Sequence, residues 1–433
     1  MSIITNTVAL IQLLSDARRS SANPQETANK RLKKTLVAAA KVPRHHAIMQ
    51  KSGYDPQRDF RGLSDLAIMP VMNKSDIQNR RDDFLQAGAS DRVEQYFSDR
   101  TSGSTGMPLV VYRSNRERDI QIAKWMRVLL LSGYRPNDVV LSFTSPGRLS
   151  EGRSLLQNFG LLRRKTVDYT LSPEMLANEV LHYRPDVLYG VRTSFLVLAD
   201  EFERRGIQPP PLKLLVAGGE VIDAHTRQRC RSIFGVDITE TYGTVEMGVM
   251  AYQQAGQAGL TLIEDCTFFE FLDEAGNPAK PGELARVVVT DLHGRLMPFI
   301  RYDQGDLAVY SLRQNADGET VRVIDQIVGR RDDIVKLPDG RFLTYLDFYE
   351  LADDYLGLQQ IRVTQRAPLS FLIELVTDDN YLRQIREELT QRLIRLSESP
   401  LEFELRRVEA ITPDASGKRR MLIAMGDGRK WHN

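Results

Sequence analysis

"TSGSTGMPLVVYR", residues 101–113, puts two glycines and four hydroxyl side chains into its first six positions and then runs into an apolar, β-branched stretch. Backbone N–H groups freed by Gly103 and Gly106, with the hydroxyls of Thr101, Ser102, Ser104 and Thr105, suit the several oxygens of a polyphosphate. The P-loop pattern does not fit. It needs four residues between its glycines and a lysine straight after the second, whereas only Ser104 and Thr105 separate these two and Met107 follows. A Ser/Thr/Gly cluster also marks ordinary surface turns. What the loop holds is therefore decided by its surroundings.

Just downstream, "LVVYR" reads as a strand, and "SNRE" offers Ser114 and Glu117 as a capping box for a helix through "RDIQIAKWMRVLLLSGY". Strand-like runs return at "DVVLSF", "DVLYG" and "LKLLVAGGE", separated by helical segments such as "TSFLVLADEFERRG". This βαβ rhythm predicts helices flanking a mostly parallel sheet. Residues 1–95 read as helical and connective, with "NKSDIQNRRDDFLQAG" carrying a polar helix start. From about 261 the alternation and the turn chemistry of "EAGN" and "PG" predict a β-meander. After about 332, strands at "IRVTQ" and "SFLIELVT", a helix over 379–397 and a closing strand predict a small unit. The expected fold class is α/β. A large N-terminal domain, 1–331, would hold parallel-rich sheets flanked by helices plus a β-meander subdomain; a small mobile α+β C-terminal domain would span 332–433.

Composition narrows the function classes. The chain has 433 residues, enough for two or three domains. A net charge of +1 gives no electrostatic case for a nucleic-acid or membrane partner. Its two cysteines, Cys230 and Cys266, stand far apart without a CxxC, which argues against disulfides and a cysteine-rich metal site. With no leader-like start and no long apolar run, a cytoplasmic setting is expected.

Two further islands look chemical. In "ITETYGTVEMG", Tyr242, Gly243, Thr244 and Glu246 crowd five positions, and a glutamate so placed could carry nucleotide-bound Mg2+, which takes one or two protein carboxylates. In "LMPFIRYDQGDLAVY" the strand carrying Arg301 reaches Asp306, an acceptor suited to a diol such as ribose. Each has a plain alternative, a solvated glutamate at a strand end and an aspartate in a glycine turn.

Taken in order, "TSGSTGMP", "AGGE", "YGTVEMG", "PGELARVVVTDLHGRLMPFIRYDQGD", "GRRDDIVKLPDG" and "SGKRR" resemble the motifs of the adenylate-forming superfamily of acyl-CoA synthetases, peptide-synthetase adenylation domains and luciferases. With "LSDLAIMPVMNKSDI" upstream, the chain looks most like the phenylacetate-CoA ligase branch and its capsule-biosynthesis-like relatives, over roughly residues 60 to 420. The resemblance implies ATP-dependent activation of a carboxylic acid to an acyl-adenylate, followed by transfer to a thiol of CoA or of a phosphopantetheine carrier protein. Thr101, Ser102, Gly103, Ser104, Thr105 and Gly106 would grip the β- and γ-phosphates. Thr244 would touch the α-phosphate and Glu246 would hold Mg2+. Gly218, Gly219, Glu220, Tyr242 and Gly243 would border the adenine; Asp306, helped by Arg330, would take the ribose hydroxyls. Lys418 would act on the reacting oxygens, and Asp332 would be the hinge.

Two departures stand out. Met107 replaces the lysine common in this branch's phosphate loop, so neutralisation must lean on Mg2+, backbone dipoles or a nearby arginine. After the hinge, "VKLPDGRFLTYLDFYE" lacks the glycine-rich run past which the thiol usually travels. An acceptor other than CoA, an amine or a reductase partner, therefore stays open. Phe143, Tyr189 and Met247 are expected to form an apolar slot for an aryl acid, unless they are plain core residues. Arg148 or Arg192 could pair with a second acidic group. The oligomeric state is left open, a dimer included.

Overall fold

The capping box forms as expected: Ser114 Oγ accepts from Glu117 N at 3.4 Å, Glu117 Oε2 accepts from Ser114 N at 2.8 Å, and the helix Asn115–Leu131 follows. This computed structural model describes residues 11, 24–101, 108–144, 160–254, 256–315 and 318–331, and in the C-terminal part 334–338, 342–344, 348, 360–377, 382–383, 386–387, 390–391, 394, 400–411 and 422–425. Residues 102–107, Arg148, Asp332 and Lys418 lie outside the described residues.

Ahead of that helix, β1 (Phe97–Arg100) and β2 (Val110–Arg113) pair antiparallel, with Arg100 opposite Val110, so residues 101–109 join the two strands of a hairpin. Five parallel strands follow: β3 (Val140–Thr144), β4 (Arg164–Asp168), β5 (Val187–Gly190), β6 (Leu214–Gly218) and β7 (Ile238–Thr244). Six more run antiparallel: β8 (Gly248–Tyr252), β9 (Leu260–Leu262), β10 (Thr267–Leu272), β11 (Leu284–Asp291), β12 (Tyr302–Gln314) and β13 (Thr320–Arg330). Among the described residues these eleven strands form one sheet, in the order β10-β11-β12-β13-β9-β8-β7-β6-β5-β3-β4. The expected meander thus extends the parallel sheet through the β7–β8 pairing.

The parallel half is apolar on both faces, as a helix-covered sheet must be. Leu141, Leu188, Leu215 and Ala217 point to a core shared with Phe195, Leu198 and Leu176. Their chain neighbours Val140, Val187 and Val216 point the other way, to Leu129 and Tyr134. On the meander side Phe271 stacks between Phe269 and Tyr310, the latter with centroids 4.3 Å apart.

"NKSDIQNRRDDFLQAG" makes less helix than expected. Asn73 does cap the start, accepting from Ser75 N at 2.9 Å and Asp76 N at 3.2 Å, yet the α-helix ends after Lys74–Gln78. Further on, the N–H groups of Gln86 and Ala87 bond to Leu296 and Lys41 carbonyls, which long-range packing of Phe84 and Leu85 makes available.

In the C-terminal part β14 (Val335–Lys336) pairs with β15 (Phe342–Leu343). The strands β16 (Gln360–Ala367), β17 (Ser370–Val376), β18 (Glu402–Arg407) and β19 (Leu422–Ile423) form a sheet in the order β18-β17-β16-β19. Val335, Phe348, Val363, Phe371 and Leu422 share one buried cluster. The described residues between 382 and 394 are helical. Among the described residues no helix is long and apolar enough to cross a membrane.

Candidate active site

β7 leaves the sheet's parallel half at Thr244 and returns as β8, with a bulge between Tyr242 and Gly243. Gly243 is obligatory for steric reasons, since a Cβ there would sit 2.5 Å from the Gly248 carbonyl oxygen. Thr244 Oγ1 accepts from Met247 N at 3.2 Å and so closes the turn that carries Glu246.

β12 lies against this turn, and its period of two sorts its residues. Tyr302, Gln304 and Asp306 share one face and all reach β7 or its turn. Tyr302 Oη donates to Glu246 Oε1 at 2.9 Å, Gln304 Nε2 donates to Tyr242 Oη at 3.1 Å, and Tyr242 Oη donates to Asp306 Oδ2 at 2.8 Å. Asp303 takes the other side and pairs with Arg286 at 2.7 Å, while Arg301, just ahead of the strand, pairs with Glu270 at 2.8 Å. Asp306 also faces Arg330 across the β12–β13 ladder, with Arg330 Nε 3.7 Å from its Oδ1.

Glu246 is 8% exposed. Desolvation raises the Asp306 carboxyl above the usual aspartate range, opposed by the Arg330 charge and the Tyr242 hydroxyl. Burial, then the neighbouring carboxylates, push the Tyr242 and Tyr302 phenols well above their ordinary range, so both stay proton donors. Three of the expected residues, Tyr242, Asp306 and Arg330, therefore meet through one hydrogen bond and one long ion pair, and a fourth, Glu246, is tied to the same strand β12 through Tyr302.

Gly218 ends β6, where a Cβ would approach Thr241 Oγ1 to 2.6 Å, and Gly219 takes φ +84°. The next residue, Glu220, accepts from Thr193 N at 2.8 Å and Thr193 Oγ1 at 2.9 Å, pinning this exposed loop to the start of the helix Arg192–Arg205. Arg192 is not available for an acidic substrate, because it is buried against Asp223 at 2.8 Å and Thr226 at 2.8 Å.

Thr101 closes the hairpin base: its N–H donates to the Leu109 carbonyl at 3.0 Å and its Oγ1 accepts from Leu109 N at 2.9 Å. Phe143, Tyr189 and Met247 fall into three different clusters. Phe143 packs with Leu141 and Phe195, Met247 is fully buried beside Tyr242 and Met250, and Tyr189 meets Trp125 edge-on at 5.5 Å. The described structure does not bring them together as one slot. Tyr302 and Gln304 were absent from the expectation, although they alternate with Asp306 in the sequence.

A family model described as AMP-binding enzyme matches residues 74–292. The chain is 29% identical over 313 residues to a phenylacetate-coenzyme A ligase of Thermus thermophilus, covering 70% of this chain and 69% of that protein. It is 27% identical over 339 residues to a phenylacetate-coenzyme A ligase of Pseudomonas putida, covering 74% and 75%. Among solved structures, 2-hydroxyisobutyryl-CoA ligase in the postadenylation state with 2-HIB-AMP superposes with a TM-score of 0.75 at 18% identity, over 94% of this chain and 90% of that one. An anthranilate CoA ligase bound to anthranoyl-AMP gives a TM-score of 0.55 at 17% identity, over 75% and 64%. These structural likenesses establish a shared fold.

Proposed function

The chain belongs to the AMP-binding enzyme family and is an AMP-forming acid–thiol ligase of phenylacetate-CoA ligase-like type, and from that premise we propose how its residues divide the work. In the first half-reaction a carboxylate oxygen attacks the α-phosphorus of ATP and the bond to the bridging oxygen breaks, releasing pyrophosphate and leaving an acyl-adenylate. In the second, a thiol sulfur attacks the acyl carbon, its proton passes to solvent, and AMP departs with the electrons of the broken carbon–oxygen bond. An anion must approach a polyanion, so the site has to offset charge and hold the line of attack.

The observation that carries the assignment is the meeting of Tyr242, Asp306 and Arg330 from three strands, with Glu246 on the adjoining turn held to β12 by Tyr302. Asp306, its carboxylate held by Tyr242 and flanked by Arg330, receives the ribose hydroxyls. Gly218, Gly219 and Glu220 allow close backbone approach to the base, with Tyr242 and Gly243 on the other side. The backbone and hydroxyls of 101–106 take the β- and γ-phosphates, and Thr244 the α-phosphate.

Glu246 fits magnesium brought in with the nucleotide. It presents one carboxylate with one oxygen oriented by Tyr302, and among the described residues no three His, Cys, Asp or Glu side chains gather as a separate cage. Bound there, the ion would offset phosphate charge. Lys418 acts on the carboxylate and α-phosphate oxygens, and Asp332 is the pivot between the 1–331 and 332–433 domains.

CoA is the acceptor this reading favours, since the relatives are named as coenzyme A ligases; an amine or reductase acceptor finds no support there. A carrier-protein thiol is the remaining variant. The acid is an aryl or related carboxylic acid, and the setting is a cytoplasm that supplies ATP and CoA. Pyrophosphate release across a panel of carboxylates, followed by CoA addition and mass spectrometry, tests this. One acid should support release, and the thioester mass should appear only after CoA is added. Release with no acid, or an adduct that forms with amines and not with thiols, would overturn it.

A further inference from the structure

The turn bearing Glu246 is held from behind by two buried cations. Arg113, the last residue of β2 and 6% exposed, donates through one guanidinium nitrogen to the carbonyls of Val245 and Glu246, the second at 3.0 Å. Its other terminal nitrogen reaches Asp99 Oδ2 on β1 at 2.7 Å. Lys124, fully buried on the helix Asn115–Leu131, donates Nζ to the Met247 carbonyl at 2.7 Å. Three successive carbonyls, 245 to 247, are thus each engaged by a cationic side chain. Nothing in the pairing of β7 with β8 requires this, because the turn already closes through Thr244 and Met247.

Arg113 has one hand on each of two elements. β1 and β2 flank the Gly/Ser/Thr loop, and the turn carries Glu246. A planar fork with donors on both ends fixes the separation of what it grips more rigidly than a point charge would. We infer that Arg113 is a positioning residue which fixes the turn carrying the Glu246 carboxylate relative to the β1–β2 hairpin, with Lys124 steadying the far side of the turn. The inference rests on the reading that Glu246 holds nucleotide-bound magnesium. Arg113 would touch neither substrate nor ion, since its terminal nitrogens are already committed to Asp99 and the turn carbonyls.

The test compares Arg113→Met, Arg113→Lys and wild type by calorimetric binding of AMP without magnesium, and of α,β-methylene-ATP across a magnesium titration, alongside thermal melting. The magnesium concentration for half-maximal binding of the ATP analogue should rise about tenfold or more in Arg113→Met while AMP affinity changes less than about threefold, as expected when support around a metal ligand is lost. Arg113→Lys, which can still serve one carbonyl, should fall between the two. Equal weakening of AMP and analogue, or a lowered melting point with an unchanged magnesium requirement, would reduce Arg113 to a fold-stabilising residue and overturn the inference. If Arg113→Met does not fold, Asp99→Asn loosens the same clamp from its half-exposed end and should shift the magnesium requirement in the same direction; no shift would overturn the inference. Wild-type binding of the analogue that is indifferent to magnesium would instead sink the assignment of Glu246 itself.

Discussion

Asp306→Asn should move stability and binding in opposite directions. Asp306 is buried, its one short hydrogen bond comes from Tyr242 at 2.8 Å, and the half-buried Arg330 stands off at 3.7 Å. Burial outweighs these partners and raises its carboxyl above the usual aspartate range. A carboxyl raised on folding contributes stability that is fully present below its unfolded value and is lost as pH rises through its folded value. Asparagine keeps an acceptor for Tyr242 and carries no charge to desolvate. The melting point of the variant relative to wild type should therefore climb from acidic to neutral pH. Binding should fall over the same span. A ribose hydroxyl donating to an ionised carboxylate is worth about 1.5–3 kcal/mol, so replacing the charge should weaken ATP by roughly ten- to a hundredfold at neutral pH. Wild-type affinity should itself decline as pH drops through the raised carboxyl value, and the variant's should not. Calorimetric titration of ATP and thermal melts at matched pH read both effects. Unchanged ATP affinity would remove Asp306 from the ribose site. A melting-point deficit that deepens with rising pH would mean the ionised form is favoured by the fold, contrary to the burial argument.

Lys418→Ala should depress acyl-adenylate formation by roughly 10²- to 10³-fold while ATP binding stays near normal, because the role proposed for it is on the reacting oxygens; wild-type initial pyrophosphate release would remove it from that role. Asp332→Pro should fix φ and spare adenylation while slowing thioester formation from supplied acyl-adenylate and CoA, and equal loss of both halves would count against a hinge. Tyr302→Phe strips the Glu246 carboxylate of its phenol donor, and the magnesium requirement for ATP binding should rise by about tenfold; a magnesium titration that overlays wild type would show that the phenol does not orient a metal ligand.

The parallel strands were readable because both their faces are buried: Val187, Leu188, Leu215 and Val216 leave no polar alternation to confuse the period. The hairpin partner β1 was not. Ser98, Asp99 and Arg100 are exposed, so no apolar rhythm announces the strand, and only pairing with β2 makes it one. The helical pattern of "NKSDIQNRRDDFLQAG" was overread for the converse reason, a good local cap followed by residues whose backbone bonds lie elsewhere. Among the site residues, Asp306 and Glu246 stood out by motif, whereas Tyr302 and Gln304 needed the further step of counting by two along β12. Phe143 and Met247 could not be sorted from sequence, since an apolar residue beside a motif looks the same in a core as in a slot. The buried pairing of Arg192, named with Arg148 as an option for a second acidic group, was not legible because its partner, Asp223, follows 31 positions later with no periodicity linking them.

The missing loop lysine and the buried clamp belong to one electrostatic argument. In the described site the cations face protein: Arg113 binds carbonyls and Asp99, Lys124 binds a carbonyl, and Arg330 lies beside Asp306. With Met107 where a lysine commonly stands, the sequence 101–107 carries hydroxyl residues and glycines and no charged side chain. A mobile cation can follow a phosphate by changing rotamer, but a dipole is effective only where the scaffold already aims it. On the proposed reading, in which Glu246 would hold magnesium, the site must keep its hairpin and its turn at a set separation, and a buried guanidinium spanning the two supplies that constraint. On this reasoning the positive charge of Arg113 serves geometry first, which is why its replacement by lysine, equal in charge and poorer in fixed donors, separates the two roles.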